Sequence, residues 1–131
     1  MTRKEAREQA FILIFEKEIS KQDVDEVLAN AIEARDVITD DFSLTLFKGV
    51  FAEKEAIDNE ISAHLQGWKA ERLSKVVLAL LRLSVFEMRF LEDVPVSVSI
   101  NEAVELCKKY ATEEDTAYLN GVLGSISRAE K

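Results

Sequence analysis

The sequence has one cysteine, Cys107, one proline and four glycines among 131 residues. A lone cysteine excludes an internal disulfide framework and most cysteine-rich zinc sites. Because Pro and Gly are scarce while Ala, Leu, Glu and Lys are abundant, long helices are favoured over many short strands and turns. The apolar run at residues 10–15 is short, and no stretch approaches the roughly 20 apolar residues that cross a bilayer. We therefore expect no signal peptide, no membrane partner and a cytoplasmic location.

Catalytic and metal-binding patterns are also missing. His64 is the only histidine, and no serine or cysteine lies in a recognisable nucleophile motif. There is no phosphate-binding Gly-rich loop and no HExxH or EF-hand pattern. Acidic runs at residues 23–26 and 113–115 are better explained as helix starts, which attract carboxylates, than as metal ligands. The sequence thus predicts no enzyme, no metal site and no cofactor.

Charge is distributed unevenly along the chain. The net charge of −8 argues against a nucleic-acid binder that neutralises phosphates over its whole surface. Residues 20–67 hold four basic and eleven acidic side chains, whereas residues 68–89 hold five basic and two acidic ones. The local distribution decides where an anion can bind. A phosphate-binding surface must then be local, built from the N-terminus and the middle helix.

Apolar periodicity predicts six or seven helices in one all-α domain over residues 1–131. The first runs from about Arg3 to Ile19. The second begins near Ser20, whose spacing from Asp23 fits a capping box. The third follows two aspartates at residues 40 and 41, which favour a helix start. Its apolar stripe over residues 42–65 is long enough for one helix or two.

The second half of the chain begins with a short amphipathic turn from Trp68 to Leu73. Ser74 then precedes the most apolar segment, residues 76–91, which is predicted to be the buried central helix because it is hydrophobic nearly all round. Residues 94–100 alternate as a strand does, but a lone strand would have no partner. We interpret them as a loop leading into a helix capped by Ser99. The last helix is expected to start around residues 112–115, again with capping-box spacing.

Basic residues crowd the start of the first helix. Arg3 and Arg7 are four residues apart on one helix face, with Lys4 beside them. Such a cluster can contact phosphates. The alternative is a solvated, fraying terminus in which Glu5 and Glu8 are the partners of these cations.

A second basic feature runs along the central helix. Lys75, Arg82 and Arg89 recur every seven residues, so they form one polar stripe on an otherwise buried helix. One interpretation is a face that merely stays in water. The other is a docking edge for an acidic partner or an RNA backbone. Composition and periodicity therefore indicate a helical binding domain without naming its ligand.

Three segments carry a family resemblance. They are RKEAREQAFILIF (Arg3–Phe15), the region Gly67–Ala111 that contains INEAVEL, and EDTAYLNGVLGSI (Glu114–Ile126). In order and spacing they resemble the NusB family of transcription antitermination factors. The resemblance implies two packed three-helix bundles and binding of boxA-type single-stranded RNA as a heterodimer with a small-subunit ribosomal protein, NusE. It also implies assembly with RNA polymerase and other Nus factors.

The resemblance also implies the site residues. The RNA-binding residues that it implies are Arg3, Lys4, Arg7, Phe15, Lys108, Glu114, Tyr118 and Asn120. For the protein partner it suggests Arg82 and Glu87. Here Glu5 interrupts the basic opening, and fewer phosphate contacts mean weaker RNA binding, so we expect the chain to need its partner.

Two other roles fit the same resemblance. One is a stand-alone factor that binds ribosomal RNA during subunit assembly; a methyltransferase domain, to which this helical domain is fused elsewhere, would not fit in 131 residues. The other is a protein-interaction module, including a homodimer, that has lost RNA binding. The acidic net charge keeps that second possibility open.

Overall fold

Seven α-helices make up the computed structural model, which describes residues 1–65 and 72–129. They are α1 (Arg3–Ser20), α2 (Val24–Arg35), α3 (Asp41–Ala52), α4 (Lys54–Ala63), α5 (Lys75–Phe90), α6 (Val96–Tyr110) and α7 (Glu113–Arg128). The predicted all-α class is confirmed. Most of the turn expected from Trp68 to Leu73 lies outside the described residues. None of the helices described is long and apolar enough to span a membrane.

Three helices begin where local side-chain chemistry predicts. Asp40 accepts a hydrogen bond from the third backbone N–H of α3 at 2.8 Å, and Ser74 does the same for α5 at 3.1 Å. Thr112 caps α7 in the same way, at 3.0 Å. Each cap satisfies a donor that the helix itself leaves unpaired. These starts are therefore determined by a few neighbouring residues.

The capping box predicted from Ser20 to Asp23 is wrong. Ser20 is the last residue of α1, and the chain turns at Lys21, which has a left-handed φ of 63°. Asp23 is itself the cap of α2, accepting from the N–H of Glu26 at 2.8 Å. The carboxylate three residues after the serine thus caps its own helix instead of closing a box with Ser20.

The loop predicted before Ser99 is also wrong, because α6 begins directly after Pro95. Ser99 lies inside the helix and is buried. Its hydroxyl donates to the carbonyl of Ser84 on α5 at 3.2 Å and lies 2.9 Å from the Ser84 hydroxyl. The serine that resembled a cap therefore joins α6 to the central helix.

The long stripe over residues 42–65 forms two helices. The break falls at Glu53, whose backbone leaves helical geometry at φ −110° and ψ 18°. Gly49, four residues earlier, remains inside α3. Its lack of a side chain allows close approach, since a Cβ added there would lie 2.2 Å from Cζ of Phe86. Gly49 thus marks the contact between α3 and α5.

We expect Gly49→Ala to lower the free energy of unfolding by about 1–3 kcal/mol relative to Gly121→Ala. Both substitutions gain similar helix propensity, but a Cβ at Gly121 meets nothing within 4 Å. At Gly49 the Phe86 ring, stacked on Phe90 at 5.4 Å, must move. Urea denaturation measures the difference. Equal stability of the two variants would show that the contact is not tight.

The central helix α5 packs against α1, α3, α4, α6 and α7. Every residue from Val77 to Met88 is buried, and each fully buried Leu or Val contributes about 1.5–3 kcal/mol. Helices α1, α2 and α3 form one bundle, α5, α6 and α7 form the second, and α4 lies against α5 and α7. The predicted pair of three-helix bundles is confirmed. Cys107 lies buried in the shared core, as expected for a small apolar residue.

Candidate nucleic-acid interface

The basic start of α1 is a capped helix end. The hydroxyl of Thr2 accepts the N–H of Glu5 at 3.0 Å, and the Glu5 carboxylate accepts the N–H of Thr2 at 2.8 Å. These bonds from Thr2 lower the pKa of Glu5. Arg3 and Lys4 lie exposed in the first turn. The acidic residue that interrupts the cluster is therefore a helix cap, paired with Thr2 rather than with the cations beside it.

Arg7 differs from its two basic neighbours because it is buried. Its guanidinium binds the carboxylate of Glu87 on α5, with Nε–Oε distances of 2.9 and 3.1 Å and a further contact at 2.9 Å from Nη2. Glu102 on α6 lies 3.9 Å from Nη1. Burial raises the pKa of Glu87, and the charge of Arg7 opposes that rise. Arg7 thus joins α1 to α5 within the core.

Arg3 packs on an aromatic ring of the neighbouring helix. Its guanidinium carbon lies 3.9 Å from the centroid of the Phe42 ring, and that of Arg7 lies 5.3 Å away on the same ring. A cation over a ring face is attracted by about 0.5–1 kcal/mol at an exposed site. The contact orients Arg3 while leaving it exposed to solvent.

A groove of about 340 Å³ separates α1 from α6 and is called here the α1–α6 groove. It is lined by Lys4, Arg7, Glu8, Glu102, Glu105, Leu106, Lys108 and Lys109. Lys4 lies 3.4 Å from Glu102, and Lys108 lies 3.5 Å from Glu105. The groove therefore brings two predicted RNA-binding lysines together, but it pairs each of them with a carboxylate.

A second groove, of about 750 Å³, lies between α6 and α7 and includes Asn101, Lys108 and Asn120. Lys108 lines both grooves. Lys4, Lys108 and Asn120 thus lie along one continuous face that crosses α1, α6 and α7. We call it the α1–α6–α7 face.

Three other predicted RNA-binding residues lie elsewhere. Glu114 and Tyr118 line a cleft of about 250 Å³ beside Ser74 at the start of α5. Burial raises the pKa of Tyr118, and its hydroxyl has no hydrogen-bond partner in the described structure. Phe15 is half-buried, with its ring centroid 6.4 Å from that of Phe11. The structure therefore does not place these side chains in the grooves that hold Lys4 and Lys108.

The polar stripe along α5 is exposed only at Lys75, whereas Arg82 and Arg89 face other helices. Arg82 is buried and donates to Asp58 at 2.9 and 3.1 Å and to Glu18 at 2.9 Å. Although burial raises the pKa of Glu18, hydrogen bonds from Arg82 and Lys21 lower it to about 2. The interpretation of a water-exposed face is therefore wrong at Arg82, whose charge joins α5 to α1 and α4.

Arg89 and Glu87, on the same helix, are likewise paired inside the chain. Arg89 binds Glu60 at 2.6–2.9 Å and the carbonyl of Ile126 at 3.0 Å. Glu87 binds Arg7. A partner contact by Arg82 or Glu87 stays a prediction, and neither side chain lies on the surface of this chain.

A cluster at the end of α6 was not predicted from the sequence. The carboxylate of Glu8 accepts hydrogen bonds from Lys109 and from the hydroxyl of Tyr110. The Tyr110 ring lies 5.1 Å from that of Phe11 and is 39% exposed. The only sequence signal is the run of Lys108, Lys109 and Tyr110 at a helix end, where cations are favoured. Tyr110 therefore lies next to the α1–α6 groove.

Comparison with known proteins identifies the family. The family model described as NusB family matches residues 4–128. The chain belongs to the NusB family. This NusB-family chain is 42% identical to the transcription antitermination protein NusB of Listeria monocytogenes (serotype 4a, strain HCC23), over all 131 residues and 100% of both chains. The membership expected from the three sequence segments is confirmed.

Solved structures agree with the NusB fold. The structure of T. maritima NusB matches with a TM-score of 0.88 at 29% identity, covering 99% of this chain and 93% of that one. A chain in the crystal structure of the antitermination factors NusB and NusE in complex with dsRNA matches with a TM-score of 0.87 at 30% identity. That match covers 98% of this chain and 97% of the other.

Proposed function

We propose that this NusB-family chain is a transcription antitermination factor that binds boxA-type single-stranded RNA as a heterodimer with the ribosomal protein NusE. The complex joins RNA polymerase and other Nus factors in the cytoplasm, and the chain acts as one domain, without catalysis or a cofactor. Full-length similarity to a protein named transcription antitermination protein NusB carries this proposal. The matching fold in a NusB–NusE–dsRNA complex supports RNA and NusE as the partners.

The RNA would bind along the α1–α6–α7 face. Exposed cations there can contact phosphates and fix the position of the strand, as basic side chains do in other complexes. Lys4, Lys108 and Lys109 line its α1–α6 groove, and Arg3 is exposed next to Lys4 at the start of α1. Asn120 is exposed on the same face and offers both a donor and an acceptor to a base edge. The groups that would contact phosphates and the one that would read a base therefore lie along the same path of the RNA on the α1–α6–α7 face.

Arg7 has a different role in this proposal. Because its guanidinium binds Glu87 in the core, it positions the start of α1, and Arg3 and Lys4 make the phosphate contacts. Glu114 and Tyr118 would contact a segment of RNA that passes over the start of α7. Phe15, half-buried beside Phe11, would support the Phe11 ring on which Tyr110 packs.

Weak binding without the partner follows from the charges in the α1–α6 groove. Its three carboxylates, Glu8, Glu102 and Glu105, lie among the four cations of the groove. Each carboxylate cancels part of the attraction for phosphate. NusE would therefore supply the contacts that this surface lacks.

In gel-shift titrations we expect boxA RNA to bind more tightly with NusE present than with either protein alone. Lys4→Ala should weaken binding and reduce the slope of log affinity against log salt by about 0.7, the value for one phosphate contact on a single strand. Lys48→Ala is the matched control, because Lys48 is an exposed lysine on α3 outside both grooves. Equal loss in the two variants would place the RNA elsewhere.

A separate assay distinguishes antitermination from a role in ribosome assembly. Reporter read-through downstream of a boxA element should rise when the protein is supplied. Unchanged read-through, together with intact RNA binding, would favour the stand-alone assembly factor. Failure of RNA to cross-link to the α1–α6–α7 face would favour a protein-interaction module.

A further inference from the structure

Two hydrogen-bond donors at the end of α6 converge on a single carboxylate oxygen. The ammonium group of Lys109 lies 2.6 Å from Oε2 of Glu8 on α1. The hydroxyl of Tyr110, the next residue, donates to the same oxygen. An oxygen that accepts from an ammonium and a hydroxyl together has the surroundings of an anionic phosphate oxygen.

The cluster holds both donors in their donating forms. Hydrogen bonds from Lys109 and Tyr110 lower the pKa of Glu8. The hydrogen bond with Glu8 raises the pKa of Lys109 and of Tyr110. At neutral pH the lysine is therefore charged and the tyrosine keeps its proton. Either donor can then serve another anion without a change of protonation.

The position of the cluster is accessible to RNA. The Lys109 side chain is 60% exposed and that of Glu8 is 26% exposed. Packing of the Tyr110 ring against Phe11, at 5.1 Å between centroids, holds the hydroxyl at the rim of the α1–α6 groove. Lys4 and Lys108 line the same groove. A strand that contacts those two lysines passes the Glu8 carboxylate.

We propose that the Lys109 ammonium and the Tyr110 hydroxyl form a binding site for a non-bridging phosphate oxygen of RNA, which the Glu8 carboxylate occupies in the free protein. This site rests on the proposed function and deepens it. RNA must displace Glu8 from both donors, and the released carboxylate then lies beside the phosphate with the same sign of charge. Glu8 is thus an internal competitor of the RNA.

Glu8→Gln tests the site, with Glu105→Gln as the matched control. Each variant removes one negative charge from the α1–α6 groove, but Glu105 pairs with Lys108 at 3.5 Å and is 56% exposed. We expect Glu8→Gln to bind single-stranded boxA RNA, with NusE present, about threefold to tenfold more tightly than wild type. Its salt slope should be steeper by about 0.7, the increment for one added phosphate contact. Glu105→Gln should show a smaller gain.

Two further variants identify the donors. Glu8→Ala removes the side chain that could still accept from Tyr110, and it should bind RNA at least as tightly as Glu8→Gln. Adding Lys109→Ala to Glu8→Gln should abolish the gain in affinity and in salt slope. Thermal melting of each variant checks that the helices remain folded.

Several outcomes would overturn the site. If Glu8→Gln binds RNA no better than Glu105→Gln, the gain is only one of net charge. If it binds more weakly than wild type, Glu8 positions Lys109 and Tyr110 for RNA and does not compete with it. If the wild-type complex with NusE fails to bind boxA RNA, the proposed function itself is wrong, and this inference fails with it. If the wild-type complex binds boxA RNA but Glu8→Gln does not bind it more tightly, the phosphate site is wrong and the proposed function stands.

Discussion

Arg7→Ala is expected to lower the free energy of unfolding by about 3–5 kcal/mol, because it leaves an unpaired carboxylate in the core. The side chains of Arg7 and Glu87 are only 6% and 1% exposed, and Nη2 lies 2.9 Å from the carboxylate. Arg7→Ala would leave the Glu87 carboxylate without its charged partner. Urea denaturation of the two proteins at neutral pH measures the loss.

The loss should depend on pH with a definite sign. Burial already raises the pKa of Glu87 in the folded protein, and removing Arg7 raises it further. A carboxyl whose folded pKa lies above its unfolded value favours folding when protonated and loses that contribution as pH rises through the folded pKa. The difference in free energy of unfolding between wild type and Arg7→Ala should therefore shrink as pH falls from neutrality toward 4.5, the ordinary pKa of a glutamate.

A paired replacement provides the control. Arg7→Met combined with Glu87→Leu removes both charges and fills the space with apolar atoms, which is often neutral or stabilising for a buried ion pair. We expect this double variant to recover most of the stability lost in Arg7→Ala. If Arg7→Ala were as stable as wild type, Arg7 would not be the anchor that the structure shows.

Arg82→Ala is expected to lower the free energy of unfolding by about 3 kcal/mol, near the lower end for breaking a buried pair. The guanidinium is 5% exposed and binds two carboxylates, Asp58 and Glu18, which are 24% and 15% exposed. Partial hydration of those carboxylates moderates the loss. Thermal and urea denaturation at neutral pH measure it.

Arg35→Ala is the control for the Arg82 variant. Arg35 pairs with Glu16 at 2.7 Å, but the two side chains are 44% and 34% exposed, and an exposed pair contributes about 0–1 kcal/mol. We therefore expect Arg35→Ala to change the free energy of unfolding by no more than that.

The pKa of Glu18, lowered from 4.5 to about 2, also determines the pH range over which the Arg82–Glu18 pair stabilises the protein. Its stabilising contribution is present above pH 4.5 and is lost as pH falls toward 2. A deficit of Arg82→Ala that stayed constant across this window would contradict the role of Glu18.

Helix starts could be predicted where the cap and its target are neighbours in sequence. Asp40, Ser74 and Thr112 each bond a backbone N–H three residues ahead, so the pattern contains both partners. Ser99 shows the limit of that reasoning. Its spacing resembles a cap, but its hydroxyl bonds Ser84, which lies on another helix. The sequence contains no local sign of that partner.

Charged residues show the same limit in the candidate site. The family resemblance implies that Arg7 contacts RNA and that Arg82 contacts a protein partner. Their carboxylates come from distant parts of the chain, 80 residues away for Glu87 and 64 for Glu18. Only the packing of α1 on α5 brings these charges together. Lys4 and Lys108 are exposed, and their contact with RNA stays a prediction.

Because α5 packs against helices of both bundles, neither bundle in the described part of the chain can unfold without loss of contacts made by the other. Opening either bundle would expose apolar side chains between Val77 and Met88 to water and so weaken the other. A ligand that binds only the folded protein therefore stabilises all of the helices, because it shifts the folding equilibrium of the whole molecule. RNA held between α1 and α6 would stabilise α4 and α7 as well, although it touches neither α4 nor the core.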